Sequence, residues 1–218
     1  MTVTPSETAL VQTVRPARSP WARRVLRRAV TPLVLIAVLG VTWLWVGSLT
    51  LDSIELRTLN AEYISARVGE HLVLSLLAAI LVAVLAIPTG VLVSRSRSHV
   101  VKAIVLGLAN IGQATPAVGV VILLAIVWQT GFTTALVALV VYSFLPVLRN
   151  TITGIEQVDA TVVESARGMG MRPGQVLRRV ELPLASPVIL AGLRTALVFA
   201  VGVATVATFI NAGGLGDM

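Results

Sequence analysis

Residues 72–93 read LVLSLLAAILVAVLAIPTGVLV, twenty-two consecutive positions without a charged side chain. The hydrocarbon core of a bilayer is about 30 Å thick and takes roughly 20 apolar residues at helical rise, so this stretch is long enough to cross it. Working outward, four further apolar runs stand at about Leu33–Leu51, Ala103–Trp128, Thr134–Leu148 and Ala185–Ile210, that at Thr134–Leu148 being short. The composition agrees: of 218 residues, 56% are hydrophobic and only 12% charged, with a mean hydropathy of +0.91. Soluble domains carry about twice that charge, so an ordinary soluble globule is disfavoured and a disordered chain excluded. The fold class is therefore an all-α polytopic membrane protein. In the third run Gly112, Gln113, Thr115 and Pro116 interrupt the apolar pattern. Such a break is tolerated at membrane depth only where protein or a water-filled cavity meets the freed backbone groups.

Charge in the connecting segments orients the spans. The head carries Arg15, Arg18, Arg23, Arg24, Arg27 and Arg28 against Glu7. Segment 52–70 is net acidic, with Asp52, Glu55, Glu62 and Glu70 against Arg57 and Arg67, whereas 95–102 holds Arg95, Arg97 and Lys102. The positive-inside rule then puts the N-terminus, 95–102 and 149–184 in the cytoplasm, with 52–70 and the C-terminal end outside. The expected organisation is an Arg-rich tail over 1–30, a leading transmembrane helix over 31–51, an extracytoplasmic segment over 52–70, and a transmembrane core over 71–218. The arginine-rich head reads as a topogenic anchor, with adhesion to anionic lipid as the alternative. Without aromatic interleaving or a nucleic-acid-reading fold, its charge does not imply a nucleic-acid partner.

Several chemistries are excluded. The chain has no cysteine, hence no disulfide or thiolate metal site. Lys102 is the only lysine and no glycine-rich loop precedes it, so there is no P-loop. The run from Gly168 to Gly174 lacks the spacing and the preceding strand of a dinucleotide fingerprint. His71 and His99 fall on opposite faces of the membrane and cannot share a metal; each reads as a solvated interfacial residue. No nucleophile–base pair is evident, so this chain is not expected to be an enzyme.

The polar segment 150–184 is patterned for helices rather than for a slack linker. Thr161-Val162-Val163-Glu164 has the form of a capping box. Val162, Val163, Ala166 and Met169 follow at helical spacing, and Gly168 and Gly170 are read as the end of that helix. Pro173 suits the first turn of a second helix with Val176, Leu177 and Val180 on one face, which Leu182-Pro183 is expected to stop. Two readings stand: a pair of helices lying on the membrane, or a dock for a cytoplasmic partner.

Glu164-Ser165-Ala166-Arg167-Gly168-Met169-Gly170, nine residues, then Val180-Glu181-Leu182-Pro183 resembles the EAA loop of ABC-importer permeases, with Ser165 in place of the first alanine. The flanking Ile111-Gly112-Gln113-Ala114-Thr115-Pro116, Leu145-Pro146-Val147-Leu148-Arg149-Asn150-Thr151, Ala191-Gly192-Leu193-Arg194-Thr195-Ala196 and Ala212-Gly213-Gly214-Leu215-Gly216 are similar to the glycine betaine/carnitine/choline branch, the osmoprotectant importers. The resemblance covers about residues 65–218. It implies a type I ABC-importer permease fold with five transmembrane helices in this chain. A further core helix would follow Gly216, so the final core helix is expected to be missing, by truncation.

The resemblance also implies function. Glu164, Ser165, Ala166 and Gly170 would contact an ABC ATPase subunit, with Leu182 and Pro183 closing the loop. ATP and Mg would be bound by that partner and no cofactor by this chain. Further partners would be a second permease subunit (identical or paralogous), an extracytoplasmic solute-binding protein and the lipid bilayer, in a bacterial inner membrane. Cargo would be a quaternary amine, with an amino acid or organic anion, or a non-transporting scaffold, as alternatives. Aromatic faces suit a quaternary cation, but Trp43, Trp45, Trp128, Tyr63, Tyr142 and Phe144 read mostly as interfacial belt residues. Asn110, Gln113, Thr115 and Pro116 are candidates for a pathway or gate, against a simple proline kink. Arg194, some 16 Å beyond Pro183 at helical rise, is a further candidate, against a charge paired inside the bundle or snorkelling to the surface.

Overall fold

The computed structural model describes residues 20–49 and 52–217, with side chains from Val30 onward apart from Ser53, Ile54 and Asp217. The arginines before Val30, and with them the reading of the head, lie outside the described side chains. The chain divides into two units, residues 1–53 and 54–218. In the first, α1 (Pro20–Gly47) carries Pro32 and a run of outward apolar side chains such as Leu35, Ile36 and Leu39. Among the described residues, four helices are long and apolar enough to cross a membrane, or five if one bent pair counts as a single span.

After a short α2 (Ser53–Thr58), the second unit is built on α3 (Ala61–Arg95), α6 (Phe132–Glu156) and α9 (Leu182–Ala204). Asn60 caps α3: its side-chain oxygen accepts from the Tyr63 N–H at 2.8 Å, and its amide nitrogen donates to the Arg57 carbonyl at 2.9 Å. The acidic segment 52–70 is thus largely helical, and α3 begins about three turns before the apolar stretch expected there. Its buried stripe is Leu74, Ser75, Ala78, Val82, Ala86, Gly90 and Val93. That of α9 is Ala185, Ile189, Gly192, Ala196, Ala200 and Val203. In lipid, contact between helices depends on close packing rather than on a hydrophobic drive, so small residues line the seams while Leu76, Ile80, Val84, Leu190 and Val198 face outward.

The closest approaches fall at glycines. A Cβ placed on Gly192 would lie 2.7 Å from Asn150 Cβ and 2.9 Å from the Pro146 carbonyl oxygen, and one on Gly90 2.7 Å from Thr151 Cβ. These contacts explain why α6 does not end near Leu148 as expected but continues for two more turns. Thr151, Ile152, Gly154 and Ile155 are buried in its last turns. The polar groups there bond backward along the helix, Asn150 Nδ2 to the Pro146 carbonyl at 2.7 Å and Thr151 Oγ1 to that of Val147 at 2.8 Å.

Between α3 and α6 the chain forms α4 (His99–Ala114) and α5 (Ala117–Val127), bent by 96° at the expected break. After α6 come α7 (Ala160–Gly168) and α8 (Pro173–Val176), then a wide π-turn over Leu177–Glu181 that leads into α9. Two 3₁₀ turns, Val206–Ile210 and Leu215–Asp217, follow α9.

Candidate functional site

Asp159 begins the loop element. Its carboxylate accepts from the Thr161 N–H and from the Thr161 hydroxyl, both at 2.8 Å. The expected Thr161–Glu164 capping box is therefore replaced: a carboxylate ahead of the helix is the better acceptor for its orphan donors. Those bonds, the backbone one foremost, hold the Asp159 carboxyl below its usual pKa. Ala166 packs inward at 2% exposure, whereas Glu164 and Ser165 lie on the surface, with the Ser165 hydroxyl donating to the Thr161 carbonyl at 2.7 Å. Val162 and Met169 also point outward, 42% and 72% exposed.

The helix stops where the glycines suggest. Gly170 takes a left-handed φ of +83°, its N–H bonds to the Arg167 carbonyl at 2.9 Å, and Met171 N–H reaches the Ala166 carbonyl at 3.3 Å. This is a Schellman stop, which glycine adopts without steric cost. A Cβ on Gly170 would meet nothing within 4 Å, so backbone conformation, not crowding, requires glycine there.

Leu182 and Pro183 do not stop the next helix. They open α9, and the helix is continuous from Pro173 to Ala204. The physical reason is Pro183, which has no N–H and whose ring would crowd the carbonyl four residues back. The preceding turn widens instead, and Leu182 N–H bonds to the Leu177 carbonyl. At the end of this turn Glu181 is buried at 5% exposure and bonds Arg95, the last residue of α3. Lys102 in the first turn of α4 bonds Glu156, the last residue of α6, at 2.5 Å.

At the break, Thr115 Oγ1 donates to the Ile111 carbonyl at 3.0 Å and Pro116 begins the new direction with φ −53° and ψ 132°. Gly112 lies against Val141, a Cβ there being 3.0 Å from Val141 Cγ1. Arg149 Nη2 donates to Asn110 Oδ1 at 3.2 Å, and Gln113 is half-buried. Arg194 is exposed on α9 and has no hydrogen bond or ion pair among the described residues. The expected loop residues thus share one element apart from Leu182 and Pro183, whereas the pathway candidates divide between the break and α9.

His71 overturns its reading as a solvated residue. It is 3% exposed, its Nε2 lies 3.1 Å from the Val201 carbonyl, and its Nδ1 lies 3.4 Å from the Leu215 N–H. Beside it Glu70 accepts from the Gly214 N–H at 3.0 Å and from Arg67 at 2.8 Å. Of the aromatic candidates, Tyr142 packs edge-on to Phe199 at 5.7 Å and Tyr63 lies under the Arg67 guanidinium at 4.9 Å. The Arg95–Glu181, Lys102–Glu156 and Arg149–Asn110 pairs join partners 86, 54 and 39 residues apart, a separation that leaves no local signal in the sequence.

An apolar three-helix core, a broken span and a helical loop between long helices make up a polytopic helical membrane fold. Solved chains share this fold. That of the MetNI methionine ABC transporter in inward-facing conformations aligns with a TM-score of 0.64 at 22% identity, over 77% of this chain and 81% of that one. A chain of an amino acid ABC transporter with histidines aligns at 0.58 and 22%, over 74% and 78%. More specifically, the chain belongs to the family described as the binding-protein-dependent transport system inner membrane component, which matches residues 86–218. The carnitine transport permease protein OpuCD of Listeria monocytogenes is 43% identical over 159 residues, 73% of this chain and 70% of that protein. The choline transport system permease protein OpuBD of Bacillus subtilis (strain 168) has the same identity and length of match, again 73% and 70%. The osmoprotectant import permease protein OsmY of Salmonella typhimurium is 34% identical over 196 residues, 90% of this chain and 79% of that protein. This membership makes the chain a multi-pass membrane permease that transports rather than catalyses.

Proposed function

We propose that this chain is the permease subunit of an ATP-driven importer for quaternary-amine osmoprotectants such as glycine betaine, carnitine and choline. The observation that carries the cargo class is the 42–43% identity to permeases named for those solutes. The loop element is the dock for a separate ATPase subunit: Glu164, Ser165 and Gly170 face outward beside Val162 and Met169, while Ala166 anchors the element from within. ATP and Mg are bound by that partner. Leu182 and Pro183 join the dock to α9 through the π-turn, so the dock's movement enters a transmembrane helix directly.

A second permease copy or paralogue completes the pathway, and an extracytoplasmic binding protein delivers cargo. The loop element faces the cytoplasm of a bacterial cell, with the N-terminus on the same side. Asn110, Gln113, Thr115 and Pro116 form the flexible point of the pathway. Arg194 is exposed on the same face of α9 as Leu190 and Val198, and an ionisable group within a span is a functional candidate. Its charge disfavours close approach of the ammonium head, so tight selection resides in the binding protein.

Purification of this chain from native membranes, with identification of the subunits retained, tests the assembly. Uptake of radiolabelled glycine betaine by the reconstituted complex, against methionine as control, tests the cargo. ATP-dependent betaine uptake is the expected result; uptake of methionine but not of betaine or choline overturns the reading.

A further inference from the structure

We propose that the segment 95–102 is a strap carrying movement of the loop element into the broken helix, through the Arg95–Glu181 and Lys102–Glu156 pairs. This rests on the permease reading above only in requiring an ATPase partner. The two carboxylates bracket the loop element: Glu156 ends α6 just before it, and Glu181 ends the π-turn just after it. Both are held by cations of one short segment. Only residues 96–98 separate α3 from α4, and Ser98, which caps α4 by accepting from Val101 N–H, also bonds through its own N–H to Ser96 Oγ at 3.3 Å. So little chain leaves almost no slack, and a pull on either helix is shared by both.

The two links differ in stiffness. Glu181 is buried, its side chain 7% exposed against 36% for Arg95, and a carboxylate stripped of its cation there is strongly unfavourable. That pair stays made throughout a working cycle. Lys102 and Glu156 are 27% and 45% exposed, a solvated pair that can lengthen or re-form. Beyond Lys102, α4 runs without interruption to Ala114, about 18 Å of helix. It then meets the break, where Pro116 contributes no N–H to hold the angle. An apolar groove of about 330 Å³ between α4 and α6, lined by Val105, Ala109, Gly112, Val141 and Phe144, provides room for α4 to shift. The ion pairs therefore position α4 according to the state of the loop element, and the break turns that shift into a change of angle.

The chain has no cysteine, so a Gly112→Cys, Val141→Cys pair can report the α4–α6 approach without background. In the complete complex with its ATPase, oxidative cross-linking is followed with and without Mg-ATP and vanadate. We expect nucleotide to change the cross-linking rate at least about threefold in this parent, the size of a modest population shift. Arg95→Ala should abolish the difference, and the exchanged pair Arg95→Glu with Glu181→Arg should restore it. Because Arg95→Ala strands a buried charge and can unfold the chain, the double change Arg95→Met with Glu181→Met is made alongside. It removes both charges at little cost to folding and should also abolish the response. A nucleotide response kept by the double variant, or absent from the parent, overturns the strap. A parent that responds to ATP but imports no quaternary amine overturns the cargo reading and leaves the strap standing.

Discussion

Gly192 and Gly69 are both helical glycines, yet their surroundings give them opposite mutational signs. At Gly192 a Cβ meets Asn150 and the Pro146 carbonyl below 3 Å, whereas at Gly69 it meets nothing within 4 Å. Gly192→Val should therefore force α6 and α9 apart and destabilise by about 1–3 kcal/mol, as overpacking does. Gly69→Ala should stabilise by about 0.5–1 kcal/mol through helix propensity. Thermal melts in detergent check both: the first variant melts below the parent, the second at or above it. Asp159 gives a pH prediction. Its carboxyl is held below the ordinary value of 3.8, chiefly by the Thr161 N–H. The cap's contribution is thus complete above that ordinary value and disappears as pH falls through the lowered one. Hydrogen exchange over residues 160–168, corrected for the intrinsic pH dependence, should lose protection in that acid range. Asp159→Asn keeps an acceptor but cannot titrate, so its protection should be flat with pH.

Among the elements, the π-turn at Leu177–Glu181 invites a deletion. A π-turn holds one residue more than regular α-helix needs. Removing the exposed Arg179 should force the turn toward regular helix and press the Pro183 ring against the carbonyl four residues back. The variant should melt well below the parent in detergent; an unchanged melt would show that Pro183 does not require the wide turn. Much at this scale could be read in one dimension. The apolar runs place α3, α6 and α9, the Gly112–Pro116 interruption marks the bend, and Gly170 and Pro173 mark the end and start of the loop helices. Helix ends are not legible where polar residues continue a helix under cover of a neighbour. Arg149–Glu156 looks like loop until Gly192 and Ala185 are seen against it. The capping box failed because Asp159, a stronger acceptor, stands two residues ahead of Thr161. Pro183 read as a stop because π-turn accommodation leaves no local signature. The ion pairs and the burial of His71 were beyond reach for another reason: each joins residues far apart in sequence, and neither hydropathy nor spacing encodes which cation meets which carboxylate.

At the scale of the whole molecule, the Arg95–Glu181 and Lys102–Glu156 pairs lie at one end of the bundle and the Glu70–Gly214 and His71–Leu215 contacts at the other. In the orientation proposed from loop charge, the first end faces the cytoplasm. Single cysteines at Ser98 and Ser65, both exposed, should therefore label from opposite sides of sealed inside-out vesicles. A membrane-impermeant maleimide should reach Ser98→Cys at once and Ser65→Cys only after permeabilisation; the reverse order would invert the topology. Close packing at Gly192 has a mechanical consequence. The helix from Pro173 to Ala204 is pinned there against Asn150 and Pro146, so Gly192 serves as the fulcrum of a lever. Its arms are about 28 Å toward Pro173 and about 18 Å toward Ala204 at helical rise. With those arms, an inward push of about 3 Å at the Pro173 end tips the Ala204 end outward by about 2 Å, so one rocking helix would close one mouth of the pathway as it opens the other.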